Sequence, residues 1–330
     1  MRQICFPRPG PPEVMELREV PDPSPAAGQV RVAVEAAGVN FADVVARQGM
    51  YQDAPPFPMV VGYEVAGTID AVGEGVDAAR VGEPVVAMVR FGGYSSSVCV
   101  PAAQAIRRPA GLDARTAAAI PVNYTTAWLA LRVYARVQAG DRVLIHAAAG
   151  GVGLAAVDLC VAAGAEVWGS AGKGKHAFLR ERGVAHLLDS HAGEWPDEKL
   201  DVVLDAQGGA TWARGLDALR DGGKLVMYGV SAMSPGESRS LVAAARMLAG
   251  IPWLRFSPIS LMNTNKAVCG VNMARVGEDR VAEWLGAALA TWEEGKLRPH
   301  VHAAVPFAEA PEAHRILHRR ENVGKVVLVP

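Results

Sequence analysis

Arg142 to Gly164 reads RVLIHAAAGGVGLAAVDLCVAAG, and its three parts decide the fold. Val143, Leu144 and Ile145 form a short continuous apolar run, the pattern of a strand buried on both faces of a parallel sheet. The following Ala147 to Gly153 fits A-x-x-G-x-x-G, a variant of the dinucleotide fingerprint in which Ala148 takes the place of the first glycine of G-x-G-x-x-G. Gly150 lets the backbone approach a pyrophosphate, and Gly153 lets the next helix pack closely on the strand. The free N–H groups at the start of that helix, with the positive end of its dipole, favour an anion. Ala165 to Ser170 (AEVWGS) supplies a second strand, which completes a βαβ unit and makes dinucleotide binding the expected function of the turn.

Downstream the alternation continues. A helix is expected over Lys175–Arg182, strands over His186–Leu188 and Val202–Asp205, a helix over Ala210–Leu219 and a strand over Leu225–Tyr228, which together imply a doubly wound parallel sheet. Upstream, Asp113 is placed to cap a short alanine-rich helix. Asn123 to Val137 carries Tyr124, Trp128, Leu131 and Tyr134 at helical spacing. Residues 1 to about 120 read as β-rich, with strands at Val30–Val34, Val65–Val72 and Val85–Val89 between Gly/Pro turns, and with Gly38–Tyr51 as a short helical excursion bearing polar side chains. Beyond Gly229 a helix is expected over Leu241–Leu248, and the apolar Ile251–Met262 is expected as a wall of the substrate crevice or equally as subunit interface or core. Val281, Trp284, Leu285, Ala288 and Trp292 read as a core-facing helical stripe. Val323–Val329 is a strand. With no low-complexity linker or internal repeat, the two ends of the chain can share one domain with the sheet domain inserted between them.

At 330 residues two domains are the natural expectation. The 33 basic and 34 acidic residues leave a net charge of −1, which argues against a nucleic-acid or membrane-surface partner. Cys5, Cys99, Cys160 and Cys269 are isolated, without C-x-x-C or zinc-site spacing, as expected of buried thiols in a reducing compartment. MRQICFPRPG breaks at prolines before a signal-type apolar core can form. No run reaches the eighteen or so apolar residues of a membrane span, so the expected address is cytoplasmic with no integral membrane segment.

An NAD site places Asp or Glu at the end of the second strand, about twenty residues past the fingerprint, against the ribose 2′-hydroxyl. Here that strand ends at Ser170 and AGKGKH follows; Glu166 stands at the wrong end. Ser170, Lys173 and Lys175 offer a hydroxyl and two cations to a 2′-phosphate, so the expected cofactor is NADPH.

Six motifs then occur in a familiar order: GVNFADV at Gly38–Val44, GYEVAG at Gly62–Gly67, NYTTAW at Asn123–Trp128, HAAAGGVG at His146–Gly153, GGKLVMYG at Gly222–Gly229 and NVGKVVLVP at Asn322–Pro330. Across essentially its whole length the chain resembles the zinc-independent medium-chain dehydrogenase/reductases, in the quinone oxidoreductase and enoyl reductase group. NKAVCGV at Asn265–Val271 resembles the branch of the vesicle amine transport protein homologues. The resemblance implies an α/β protein with a β-rich GroES-like catalytic domain, residues 1–121 and 266–330, and an inserted Rossmann domain, residues 122–265, that binds NADPH. Asn40 and Tyr63 stand where zinc-using relatives carry a cysteine and a histidine, so no metal is expected, since neither side chain replaces a thiolate or imidazole.

Without a metal Lewis acid, the substrate best suited to such a site is an activated C=C, whose own carbonyl delocalises the charge as hydride reaches the β-carbon. An enone, a quinone or an enoyl thioester such as an enoyl-CoA is the expected substrate class. Arg239, Arg246 and Arg255 lie near enough in sequence to the expected wall to suit CoA phosphates. By family position Asn40 and Tyr51 are the expected hydrogen-bond donors to the enolate, with Tyr63 behind them, and Asp43 organises their loop. Val45 stands where quinone reductases often have a tyrosine, making the pocket more apolar. Cofactor contacts are implied for Thr126, the turn Ala149, Gly150, Gly151, Val152 and Gly153, for Ser170 and Lys175, for Gly208 beside Gly209, for Gly229 and for Asn322. The family also implies a homodimer. The alternative function is a non-catalytic NADPH-binding adaptor or vesicle-associated protein.

Overall fold

Arg142–His146 is the central strand of a six-stranded, wholly parallel sheet. This computed structural model describes residues 1–234, 236–237, 240–251 and 256–330. Across the sheet the strands run His186–Asp189, Glu166–Ala171, Arg142–His146, Leu200–Asp205, Leu219–Met227 and Ala267–Gly270. The chain therefore winds outward to one side from the central strand and then to the other. The topological switch falls between Arg142–His146 and Leu200–Asp205, where such sheets bind ligands beyond the strand C-termini. The apolar run is buried on both faces as its sequence requires: Val143 and Ile145 pack in one cluster with Leu154 and Val157 of the next helix, and Leu144 packs on the other face with Val203 and Leu225.

The β-rich part is a seven-stranded sheet built on Gln29–Val39, which pairs antiparallel with Glu64–Val72, Ser97–Pro101 and the C-terminal strand Lys325–Val329. The pairing of Val327 with Gly38 and of Leu328 with Ala37 places the C-terminal strand in the sheet of the N-terminal β-rich part. The polar excursion is the helix Phe41–Arg47. Asp113 caps Ala114–Ala117 by accepting from the amides of Arg115 and Thr116.

The structure departs from the sequence reading in several places. The sixth strand, Ala267–Gly270, lies beyond the 265/266 boundary expected for the inserted domain, yet pairs in register with Lys224–Met227. Leu219–Met227 starts well before Leu225, because Gly222, with φ +82°, is accommodated within the strand and does not end it. The helix expected over Asn123–Val137 runs as an α-helix over Pro121–Trp128, continues as a π-helix over Leu129–Ala135, and ends at left-handed Arg136. Of Ile251–Met262, residues 252–255 lie outside the described residues. Pro258–Thr264 is a helix whose Ile259 and Met262 are exposed. Arg239 and Arg255 also lie outside the described residues, and Arg246 is exposed on the helix Leu241–Ala249.

Candidate active site

A cavity of about 1210 Å³ lies where the C-terminal ends of the parallel strands meet the β-rich domain. Asn40, Tyr51, Tyr63, Thr126, the turn Ala149–Gly153, Ser170, Lys175, Gly229 and Asn322 all line it, whereas Asp43, Lys173, Gly208 and Gly209 do not. The Gly208 amide instead donates to Asp205 Oδ1 (3.1 Å) beside that of Gln207 (2.6 Å), and its φ of +87° marks a turn residue; Ala206 and Gln207 take its place on the cavity wall. Nor do Ile251 or Phe256–Met262, the described part of the expected wall, line the cavity. The apolar wall comes from Val271, Met273 and Val276 after the sixth strand, and from Val281 and Leu285 of the helix Glu278–Glu293. Those last two were expected as core, and they serve as core and wall together.

At the fingerprint turn each glycine has a separate steric reason. A Cβ on Gly153 would fall 2.2 Å from the carbonyl oxygen of Ala147 and 2.8 Å from the backbone of Ala148. One on Gly151 would strike the side-chain amide of Asn123 at 2.7 Å, whereas at Gly150 the nearest atom is 3.2 Å away. The helix Gly151–Ala162 thus begins pressed against both the turn and the Pro121–Trp128 helix. The left-handed residue is Ala147, with φ +52°, and not Ala148, the position matched to the first glycine of the fingerprint. Ala148 is fully buried and its amide donates to Ser170 O (3.1 Å).

The returning C-terminal segment is stitched to this turn. The Gly324 amide donates to Ala149 O (2.8 Å), and Lys175 Nζ donates to the carbonyls of Arg320 (2.6 Å) and Asn322 (2.7 Å). Lys175 thus spends two of its three N–H donors on backbone while still lining the cavity, and burial pulls its pKa down. Lys173 is exposed and ion-paired to Asp189 at 3.6 Å. The Asn322 amide donates to Gly324 O (2.8 Å). Thr126 is buried on the Pro121–Trp128 helix. Gly229 has the carbonyl oxygen of Ala206 2.8 Å from where a Cβ would stand.

At the opposite end Asn40 heads the Phe41–Arg47 helix. Its Nδ2 donates to Glu64 Oε1 (2.9 Å), and its Oδ1 accepts from Lys325 Nζ (2.6 Å). Lys325 and Glu64 are themselves a buried ion pair, 2% and 0% exposed. Glu64 Oε2 also accepts from the Val122 amide (2.7 Å). Asp43 organises the loop as expected: it accepts from the amides of Asn40 (2.7 Å) and Gly62 (3.1 Å) and from the Tyr94 hydroxyl (3.0 Å). Burial pushes its carboxyl up to about 7, against the pull of those hydrogen bonds. Tyr51 and Tyr63 meet edge to face with centroids 6.1 Å apart. The Tyr63 hydroxyl is buried with no hydrogen-bond partner among the described residues, and burial raises both phenols above their ordinary range, so both stay protonated.

This donor set does not fit zinc. The candidate positions present a carboxamide and a phenol, the nearby carboxylate of Glu64 is committed to Lys325, and no group of three or more His, Cys, Asp or Glu side chains among the described residues could hold a metal. Sequence reasoning did not assign Glu64 or Lys325 a role in the site. The available signal was a lysine opening the apolar run KVVLV and a glutamate opening EVAG. Charges in buried strands must find each other.

Two family descriptions match the chain: the alcohol dehydrogenase GroES-like domain over residues 26–110 and zinc-binding dehydrogenase over 182–328. Among curated relatives, the human synaptic vesicle membrane protein VAT-1 homolog is 38% identical over 328 residues, 96% of this chain and 82% of that protein. Among solved structures, the quinone oxidoreductase from Coxiella burnetii superposes with a TM-score of 0.82 at 27% identity, covering 100% of this chain and 99% of that one. Mycobacterial Rv1454c complexed with NADPH superposes at 0.83 with 27% identity over 100% of both chains. The fold, the glycine turn and these likenesses agree: the chain is a member of the medium-chain dehydrogenase/reductase family, near its VAT-1 branch, with the fold of an oxidoreductase that uses a nicotinamide cofactor.

Proposed function

We propose that this chain is an NADPH-dependent, metal-independent reductase of activated C=C bonds in enones, quinones or enoyl thioesters. The observation that carries the reading is the cavity in which the glycine turn, Asn40, Tyr51, Tyr63 and an apolar wall come together. When bound along the turn, NADPH supplies the hydride. The protein's part is to seat the substrate carbonyl against donors whose value rises as negative charge reaches that oxygen. Asn40 has one Nδ2–H left after Glu64 takes the other, and the Tyr51 and Tyr63 hydroxyls remain protonated donors. Hydride on the β-carbon and a proton on the α-carbon, from solvent or a side chain, together add two hydrogens across the bond.

Ser170 and the remaining N–H of Lys175 support NADPH over NADH. The C-terminal segment that Lys175 clamps also brings Arg319 and Arg320 to the cavity. A homodimer is part of the proposal. Its support is the edge strand Ala267–Gly270 together with exposed Leu241, Val242, Leu248, Ile259 and Met262, and light scattering on the purified chain gives the mass directly. The four free cysteines support a reducing, cytoplasmic setting.

The test is oxidation of NADPH against a panel of quinones, enones and enoyl-CoA esters, with turnover of at least one class expected. The names of the vesicle-membrane relatives favour a second reading, a non-catalytic NADPH-binding adaptor. Tight NADPH binding with no turnover across the panel would establish that reading and remove the first.

A further inference from the structure

We propose that Lys325, paired with Glu64, is a positioning residue that locks the amide of Asn40 in the one orientation able to offer an N–H to substrate. This rests on the reductase reading above. Three groups close a buried triangle: Lys325 Nζ donates to Asn40 Oδ1 (2.6 Å), Asn40 Nδ2 donates to Glu64 Oε1 (2.9 Å), and Lys325 is ion-paired to that same Glu64 oxygen. Turning the carboxamide by 180° would set its NH2 against the ammonium and its oxygen against the carboxylate, losing both bonds and opposing like charges. A neutral amide with ordinary partners can flip, whereas one held between a buried cation and a buried anion has a single orientation.

The triangle is anchored on three sides. Glu64 Oε2 accepts from the Val122 amide (2.7 Å), at the start of the helix that carries Asn123 and Thr126. Lys325 Nζ reaches Asn123 Oδ1 (3.4 Å), the side chain against which Gly151 of the cofactor turn is packed. Gly38 makes room for the carboxylate, since a Cβ there would lie 2.4 Å from Glu64 Oε1. A single ammonium therefore sets the substrate-side amide in register with the turn that seats the cofactor. Asn40, Asn123 and Lys325 all line the cavity, whereas Glu64 lies behind it.

The test uses the full chain with Lys325→Met and, because a lone buried Glu64 can compromise folding, the charge-neutral double variant Glu64→Gln/Lys325→Met. With NADPH and trans-3-penten-2-one, kcat is expected to fall about 10²-fold in the double variant while NADPH affinity stays within about threefold. The deuterium isotope effect from 4-deuterated NADPH is expected to rise toward its intrinsic limit. A folded double variant with unchanged kcat and isotope effect overturns the proposal. A second readout needs no turnover: exchange of the Asn40 side-chain amide protons by ¹⁵N NMR, the resonance assigned by its loss in Asn40→Asp. Slow exchange in the native chain, at least about tenfold faster in the double variant, supports the lock; equal exchange refutes it. Absence of native turnover removes the reductase reading alone, and the amide exchange still decides the positioning.

Discussion

The two ends of the cavity are built on opposite principles. At the cofactor end the strand, turn and helix come from one continuous stretch, Arg142–Gly164, and the close contacts among Ala147, Ala148, Gly150 and Gly153 are local. At the reaction end Asn40, Glu64, Asn123 and Lys325 come from four separate segments, brought together where Gln29–Val39 pairs with Glu64–Val72 on one side and with the C-terminal strand on the other. A local site is fixed by backbone sterics and fails by displacement. A distributed site is fixed by charge pairing and fails by leaving a charge uncompensated.

The sharpest test of that contrast removes one charge. Lys325→Met leaves Glu64 buried and unpaired, a loss of about 3–5 kcal/mol. Glu64→Gln/Lys325→Met is expected to recover most of it in guanidinium unfolding; a double variant as unstable as the single one would show that packing, not charge, holds this end together. Next in size is a pH effect at Asp43. Its folded pKa of about 7 stands above the ordinary value of about 4, so the folded protein holds this proton more tightly than the unfolded chain does. The contribution is complete below pH about 4 and is lost as pH rises through about 7, a swing of up to about 4 kcal/mol. Stability curves of the native chain and Asp43→Asn should therefore diverge in slope across that window; parallel curves would mean that Asp43 is ionised throughout.

At the cofactor end, Gly153→Ala drives a methyl group into the Ala147 carbonyl and the Ala148 backbone, neither of which is a flexible side chain that can swing away. A loss of about 3 kcal/mol and weakened NADPH binding are expected from unfolding and fluorescence titration. A variant of native stability would show that the helix slides freely on the turn. Lys175→Ala is smaller again: NADPH affinity is expected to fall about tenfold more than NADH affinity, with its tie to the Arg320 and Asn322 carbonyls lost in both cases. Equal losses for the two cofactors would assign Lys175 to clamping the C-terminal segment alone.

The same contrast explains what was legible. The βαβ unit and the parallel sheet were readable because periodicity and glycine spacing are local properties of the chain, whereas the return of the C-terminal strand to the β-rich domain was implied by the absence of a linker and by the family resemblance. The role of Asp43 was implied by the family resemblance and not by a local pattern. Glu64 and Lys325 stand within recognisable motifs, yet their partnership is not legible there, because each charge's partner lies 261 positions away and no local pattern encodes which strands will pair. That Ala267–Gly270 joins the parallel sheet was illegible for a related reason: AVCG is too short and too weakly patterned to show which sheet its backbone joins. For the bulkiest stretch, Ile251–Met262, crevice wall, subunit interface and core read alike from sequence. The cavity draws instead on Val281 and Leu285, whose helical spacing reads the same whether a face meets core or ligand.

The smallest effect discriminates most finely within the local site, because it turns on one residue of register. Ala147 holds φ at +52°, a conformation costing an L-residue about 1 kcal/mol, and its side chain is exposed, so no packing depends on the methyl group. Ala148 has no left-handed φ, is fully buried, and stands beside the strand that follows, where a Cβ built on Gly169 would crowd its own Cβ at 3.3 Å. Ala147→Gly relieves the strain, offset in part by the greater freedom glycine gives the unfolded chain, and is expected to stabilise by up to about 1 kcal/mol. Ala148→Gly loses a packed methyl and frees the backbone, and is expected to destabilise by about 1 kcal/mol. Paired unfolding midpoints read the sign of each. If Ala148→Gly were the stabilising change, the left-handed residue would sit where the fingerprint's first glycine is matched, and the turn would be one position out of register with the strand that feeds it.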